Sequence, residues 1–346
     1  MSPPLPAALA FEGRRVLLKY HRLLSGTHAH PPNSIPALRQ VLADGAEVIE
    51  FDVGLTRDGA FVLIHDEQLE RETTGRGPLG AITAAEFAAL RLRDTDVPTA
   101  ALAEVVEIVA AVRRPVKVQV DLKEQAPLAP GVGERLLAAI APMRANPHVR
   151  VVVGCLADWN LRALRRLDGT LAVGLDFAHY LDAPVDELVR LPSRINAYGY
   201  LDDHPLGFRR LTSVQAYLED RMAVLINLVD GAQEFYVRKE FLLQALADGV
   251  NPVRFIHERK PGALVDVWTF YAHEERIREH LTAALEAGAD QISSPTAGLL
   301  PRFLPTQPRV TAPATTRPRR ARRPVPSAPP AARRARPRPA PRRRPG

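Results

Sequence analysis

Between Glu47 and Asp66 the chain reads EVIEFDVGLTRDGAFVLIHD. Two carboxylates, Glu50 and Asp52, stand inside one apolar run, and a histidine, His65, closes the next. Residues two apart on a strand point to the same face, so Glu50 and Asp52 share one direction, as do Asp121 and Lys123 in VKVQVDLKE. Acids inside a folded domain are costly unless something neutralises them. Three carboxylates converging from two strands suit a hard divalent cation held through oxygen, Mg²⁺ or Ca²⁺. His21 closes the run VLLKYH. With His65 it would flank such an ion, and two imidazoles there suit general acid–base work on a phosphoryl group. Arg22 and Lys123 supply positive charge for phosphate oxygens. Each piece alone has a plainer explanation: IEFDV as an edge strand with solvated acids, His65-Asp66 as a strand end running into a loop. Polar positions at the ends of four successive strands, all aimed one way, form the joint pattern that points to catalysis.

Such positions need a scaffold that gathers strand ends. Along the chain, short apolar runs alternate with Ala/Leu/Arg/Glu segments of helical period. Strands are expected to start near residues 16, 48, 61, 116, 149, 171, 265 and 290, with helices over 34–47, 97–112 and the segments between later strands. A Thr83…Glu86 capping box opens a further helix. Strands separated by helices pair in parallel through crossovers. Eight such units predict a (β/α)₈ TIM barrel, whose site lies at the C-terminal strand ends; a doubly wound sheet is the alternative. The stretch from about 180 to 263, between the sixth and seventh expected strands, is too long for one crossover and predicts an enlargement there.

Net charge divides the chain into two parts. The whole carries +7, yet residues 307–346 hold 13 Arg and no Lys, Asp or Glu; the remainder has 46 − 13 = 33 bases against 39 acids, a net of −6. The expectation is a mildly acidic catalytic domain over 1–306 and a disordered Pro/Arg-rich tail over 307–346. That tail would suit contact with anionic membrane or nucleic acid. A single cysteine, Cys155, excludes an internal disulfide and fits a reducing, cytoplasmic setting. No stretch approaches the roughly 18 apolar residues of a membrane span, and the first residues do not read as a signal peptide.

The stretches HR (21–22), PNS (32–34), GAEVIEFDVGLTRDGAFVLIHDEQLERETTGRGPL (45–79), VQVDLK (118–123), VWT (267–269) and GADQISSP (288–295) together resemble the glycerophosphodiester phosphodiesterases. The resemblance runs from about residue 14 to 300 and is poor in the middle. It implies a TIM barrel of lipid metabolism that hydrolyses glycerophosphodiesters to glycerol 3-phosphate and an alcohol. Position by position it implies Glu50, Asp52 and Asp121 as metal ligands, His21 and His65 as the acid–base pair, Arg22 and Lys123 on phosphate, and Trp268 as a wall of the substrate pocket.

Several positions depart from the family pattern. Leu23 follows His21-Arg22 where glycine is usual, Pro32 replaces an acid, and Ser293-Ser294-Pro295 stands for Thr-Asp-x-Pro. Asp121 replaces a glutamate, as in the spider-toxin type phospholipases D, which release a cyclic phosphate. Two alternatives therefore accompany the hydrolase: a phospholipase D-like lyase acting on lysophospholipids, and an inactive barrel serving as a binding protein. His28 and His30 are weaker ligand candidates. Asp202, Asp203 and His204, with His257 and Glu258, are candidates for the substrate entrance. Phe235 and Tyr236 are expected as core or as contacts to a lipid chain, and Cys155 as a buried apolar residue.

Overall fold

The structure, a computed structural model, describes residues 4–182 and 213–304. All of them belong to the unit spanning 1–306. The Arg-rich segment 307–346 and the stretch Asp202-Asp203-His204 lie outside the described residues. Ten described strands run in chain order: β1 (Ala8–Phe11), β2 (Arg14–Tyr20), β3 (Val48–Leu55), β4 (Phe61–Leu63), β5 (Val116–Leu122), β6 (Val149–Cys155), β7 (Val173–Asp176), β8 (Glu234–Arg238), β9 (Leu264–Trp268) and β10 (Gln291–Ser294). Eight of them close into a parallel barrel, β2-β3-β5-β6-β7-β8-β9-β10, with β10 returning to β2. This is the TIM-barrel arrangement. Strands β1 and β4 lie outside the ring, antiparallel to β2 and β3.

The number eight was legible, but its membership was not. The expected strand near 61 is β4, a three-residue hairpin return on β3. The turn at Arg57-Asp58-Gly59 is far too short for a parallel crossover, which needs a dozen residues or more. The barrel strand missing from the expected set is β8, EFYVR, which lies inside the stretch read as an enlarged loop. The enlargement divides accordingly. Residues 177–233, with helix α6 (Val214–Leu228) among the described ones, separate β7 from β8. Helices α7 (Lys239–Ala247) and α8 (Pro252–Arg259) separate β8 from β9.

The remaining helices fill the other crossovers: α1 (Ile35–Ala43), α2 (Ala84–Ala88), α3 (Leu102–Ala110), α4 (Val132–Ala145), α5 (Asp158–Leu167) and α9 (Ile277–Ala287). Helix α1 starts where it does because the Ser34 hydroxyl accepts the Ala37 N–H at 3.2 Å. The capping box opens α2, as the sequence indicated. No described helix is long and apolar enough to cross a membrane.

Each barrel strand is buried on both faces, and the faces differ in kind. On β5, Val116, Val118, Val120 and Leu122 join the apolar layer beneath the helices, whereas Lys117, Gln119 and Asp121 point to the barrel axis. The axis is charged rather than aliphatic. Lys117 Nζ lies 2.7 Å from Glu234 Oε1, and Gln291 donates to the other Glu234 oxygen at 3.2 Å. Above them Lys19 pairs with Asp266, hydrogen-bonds Gln119 and sits 4.5 Å from the Tyr236 ring centroid. Buried charges survive only when paired. Glu234→Ala is therefore expected to cost about 3–5 kcal/mol by stranding Lys117. Urea unfolding should show Lys117→Met/Glu234→Leu to be more stable than either single replacement, because nothing charged is then left alone.

Candidate active site

A cavity of about 870 Å³ opens at the C-terminal ends of the strands. It gathers groups from far apart in the chain. His21 and Arg22 follow β2, and Glu50 and Asp52 come from β3. Asp121 and Lys123 end β5, and Trp268 ends β9. His65 arrives by a different route: the β3–β4 hairpin folds back and delivers it to the same mouth. Of these eight residues, all but the fully buried Asp52 line the cavity, and Asp52 lies directly beneath.

Glu50, Asp52 and Asp121 each offer an oxygen, and these atoms lie within 4.8 Å of one another. Glu50 Oε1 is buried and accepts no hydrogen bond from the described residues. Lys123 Nζ sits 2.9 Å from Asp52 Oδ1 and pairs with Asp121 too, so a cation already stands among the acids. Three carboxylate oxygens this close together fit a hard divalent ion. Burial, with Asp52 and Asp121 alongside, pushes the Glu50 carboxyl well above the usual carboxylate range. Burial would raise Asp52 as well, but Lys123, His65 and Arg22 outweigh it and hold that carboxyl well below the range. For Lys123 burial is likewise overcome, by Asp121, Asp52 and Glu50, and the ammonium is held above its ordinary value.

Supporting residues fix the acids in place. The Arg22 backbone N–H donates to Glu50 Oε2 at 2.7 Å, and the guanidinium Nε lies 3.4 Å from Asp52 Oδ2. Asn33 clamps Asp52 twice: its Nδ2 donates to Oδ2 at 2.8 Å and its Oδ1 accepts the Asp52 N–H at 3.1 Å. Gly154 on β6 leaves the room that Asp121 uses; a Cβ there would fall 2.6 Å from Asp121 Oδ1. The loop after His21 keeps its left-handed backbone although the usual glycine is absent, with φ +53° at Arg22 and +63° at Leu23. Leu23 is buried to 1% exposure, which offsets part of the cost of about 1–3 kcal/mol that such a backbone carries.

The two imidazoles differ in surroundings. His21 Nε2 lies 3.7 Å from Glu50 Oε2, and burial, then Arg22, draws its pKa well below the ordinary imidazole value. His65 is half-buried, with Nδ1 2.9 Å from Asp66 Oδ1, and its backbone N–H donates to Glu72 Oε2 at 3.0 Å. Glu72 also lies 3.8 Å from Arg22 Nη1, tying the two histidine loops together. Asn33, Asp66 and Glu72 are the site residues that reading the sequence alone missed. Only PNS and the dipeptide His65-Asp66 hinted at two of them.

Other candidates fall elsewhere. His28 is 2.6 Å from Asp44, outside the cavity. His257 and Glu258 sit in the last turn of α8. His257 reaches Asp290, just before β10 begins, so this pair is at the opposite barrel end and does not line the entrance. Phe235 is core, whereas Tyr236 lines the cavity. Ser293 donates to Asp266 at 3.0 Å and also faces the cavity. Burial pushes the Cys155 thiol up to about 12, which leaves it an inert apolar group.

Comparison with known proteins bears on this arrangement. The profile of the glycerophosphoryl diester phosphodiesterase family matches residues 21–290. The glycerophosphodiester phosphodiesterase of Caldanaerobacter subterraneus subsp. tengcongensis is 32% identical over 153 residues, which is 42% of this chain and 60% of that protein. The match thus spans about 60% of the length of that relative. A crystal structure of a glycerophosphodiester phosphodiesterase from Parabacteroides distasonis superposes with a TM-score of 0.56 at 15% identity, over 83% of this chain and 95% of that one. The Oleispira antarctica phosphodiesterase in complex with the product sn-glycerol-3-phosphate gives 0.53 at 16% identity, over 83% and 95%. At such identity these two structures establish the fold.

Proposed function

This chain belongs to the glycerophosphoryl diester phosphodiesterase family, and from that premise we propose that it is a metal-dependent phosphodiesterase releasing glycerol 3-phosphate and an alcohol from glycerophosphodiesters. The observation that carries the proposal is the trio Glu50, Asp52 and Asp121, whose oxygens lie within 4.8 Å of one another, with His21 and His65 at the mouth of the same cavity. The trio would hold Mg²⁺ or Ca²⁺, which supplies Lewis-acid charge to a phosphoryl oxygen.

The chain's own groups do the rest. Arg22 and Lys123 hold the remaining phosphate oxygens. His21, kept neutral by burial, takes the proton of the glycerol hydroxyl next to the phosphate as that oxygen attacks phosphorus. His65, turned by Asp66 at Nδ1, gives its Nε2 proton to the departing alcohol oxygen as the bond to phosphorus breaks. Water then opens the cyclic phosphate: His65 takes the proton of the water, and His21 returns a proton to the glycerol oxygen. Trp268 closes one side of the pocket.

Phosphorus NMR of a panel of glycerophosphodiesters and lysophospholipids, with Mg²⁺, with Ca²⁺ and with chelator, tests this. Glycerol 3-phosphate is expected from the glycerophosphodiesters only when metal is present. Turnover that persists in chelator, or none with any ion, would sink the proposal. A cyclic phosphate as the final product from lysophospholipids would favour the lyase.

A further inference from the structure

The cavity holds more acid than this chemistry uses. Eight Asp or Glu residues line it against four Lys or Arg, a formal excess of four acids. Part of that excess lies on one wall, whose Arg238, in register with Trp268, is already held by Asp182 and Glu240. Direct register pairs lead from Asp176 at the end of β7 to Tyr236 on β8 and on to Asp266 on β9. Strands are spaced about 4.8 Å apart, so the two acids stand about 10 Å apart across the phenol. Trp268, two residues beyond Asp266, faces the same way. Lys19 neutralises Asp266. Asp176 has no such partner among the described residues. Its Oδ1 accepts the Ala178 N–H at 2.8 Å, and Lys123, the cation that acts on it, is committed to Asp52 and Asp121. Burial, with Asp121 and Asp182 nearby, holds the Asp176 carboxyl up to about 8, as befits an acid lacking a counter-charge. Asp266 Oδ1, the Tyr236 hydroxyl and Trp268 Nε1 on the same wall are buried without hydrogen-bond partners among the described residues.

Resting on the phosphodiesterase reading, we propose that this wall receives the alcohol half of the substrate and selects a cationic head group, an ammonium of the choline or ethanolamine class, with Asp176 as its counter-ion and the rings of Trp268 and Tyr271 beside it. An ammonium gains both from a carboxylate and from aromatic faces. A neutral alcohol such as glycerol or inositol gains neither, and an anionic one is repelled.

The test compares kcat/KM for glycerophosphocholine and glycerophosphoethanolamine with that for glycerophosphoglycerol and glycerophosphoinositol, using the metal-loaded full chain. The cationic pair is expected to be favoured by about tenfold or more. In Asp176→Asn, whose amide oxygen can still accept the Ala178 N–H, that preference should shrink at least about fivefold, mainly through KM. Thermal unfolding verifies that the variant is folded. Equal rates for all four substrates in the parent, or an undiminished preference in the variant, would overturn the inference while leaving the phosphodiesterase assignment intact. If the parent cleaves none of the four with any metal, both fall.

Discussion

Replacing Asp52 by Asn is expected to lower glycerophosphodiester turnover about a thousandfold, the scale of several kcal/mol of lost charge stabilisation in the transition state. Asp52 is the acid at the centre of the site: it is fully buried, clamped by Asn33, and approached by Lys123 on one oxygen and Arg22 on the other. An asparagine keeps the shape and removes the charge. The loss should therefore appear as lost ion binding more than as lost fold. An ion that binds the folded chain alone raises its unfolding temperature. Titrating Mg²⁺ or Ca²⁺ should thus shift the midpoint of the parent and leave that of Asp52→Asn in place. A variant that retains turnover within tenfold of the parent, or an identical ion-induced shift, would remove Asp52 from the cage.

His21→Ala and His65→Ala should each lose about 10²–10⁴ in kcat, the usual contribution of a positioned acid or base. The two losses should respond differently to the leaving group. An alkyl alcohol needs a proton as it departs, whereas p-nitrophenolate does not. In release of p-nitrophenolate from the p-nitrophenyl diester of glycerol 3-phosphate, His65→Ala should recover most of its deficit and His21→Ala little of it, while opening of the cyclic phosphate stays slow in both. The converse pattern would exchange the two roles. Near-normal turnover by either variant with glycerophosphocholine would refute the acid–base scheme. On the proposed scheme, in which each histidine serves both halves of the reaction, the double variant should fall little below the worse single one.

Much of this site was legible because its key strand announces itself. In EVIEFDVG the acids recur with period two among apolar residues, and β3 spans Val48–Leu55 as that pattern requires. Strand β8 was hidden for the converse reason. Its inward residues Glu234 and Tyr236 serve a charged axis, so EFYVR does not read as an apolar run, and Arg238 ends it in polar company. The strand near 61 was misassigned to the ring by its composition, although the short turn before it already barred a crossover. Asn33, Asp66 and Glu72 act through contacts made by loops, for which no periodicity exists. His257 shows the same limit from the other side: an imidazole beside an acid looked functional until the fold placed it at the far end of the cylinder.

Lys123 gives the three acids a counter-charge of their own. Three acids pressed together would repel one another while the barrel closed, and a chain that depended on an external ion for relief could not mature before meeting one. Here the chain carries its own surrogate, an ammonium lodged between Asp52 and Asp121. On the proposed reading the domain would assemble first and be charged with metal afterwards, the lysine yielding its berth to the ion.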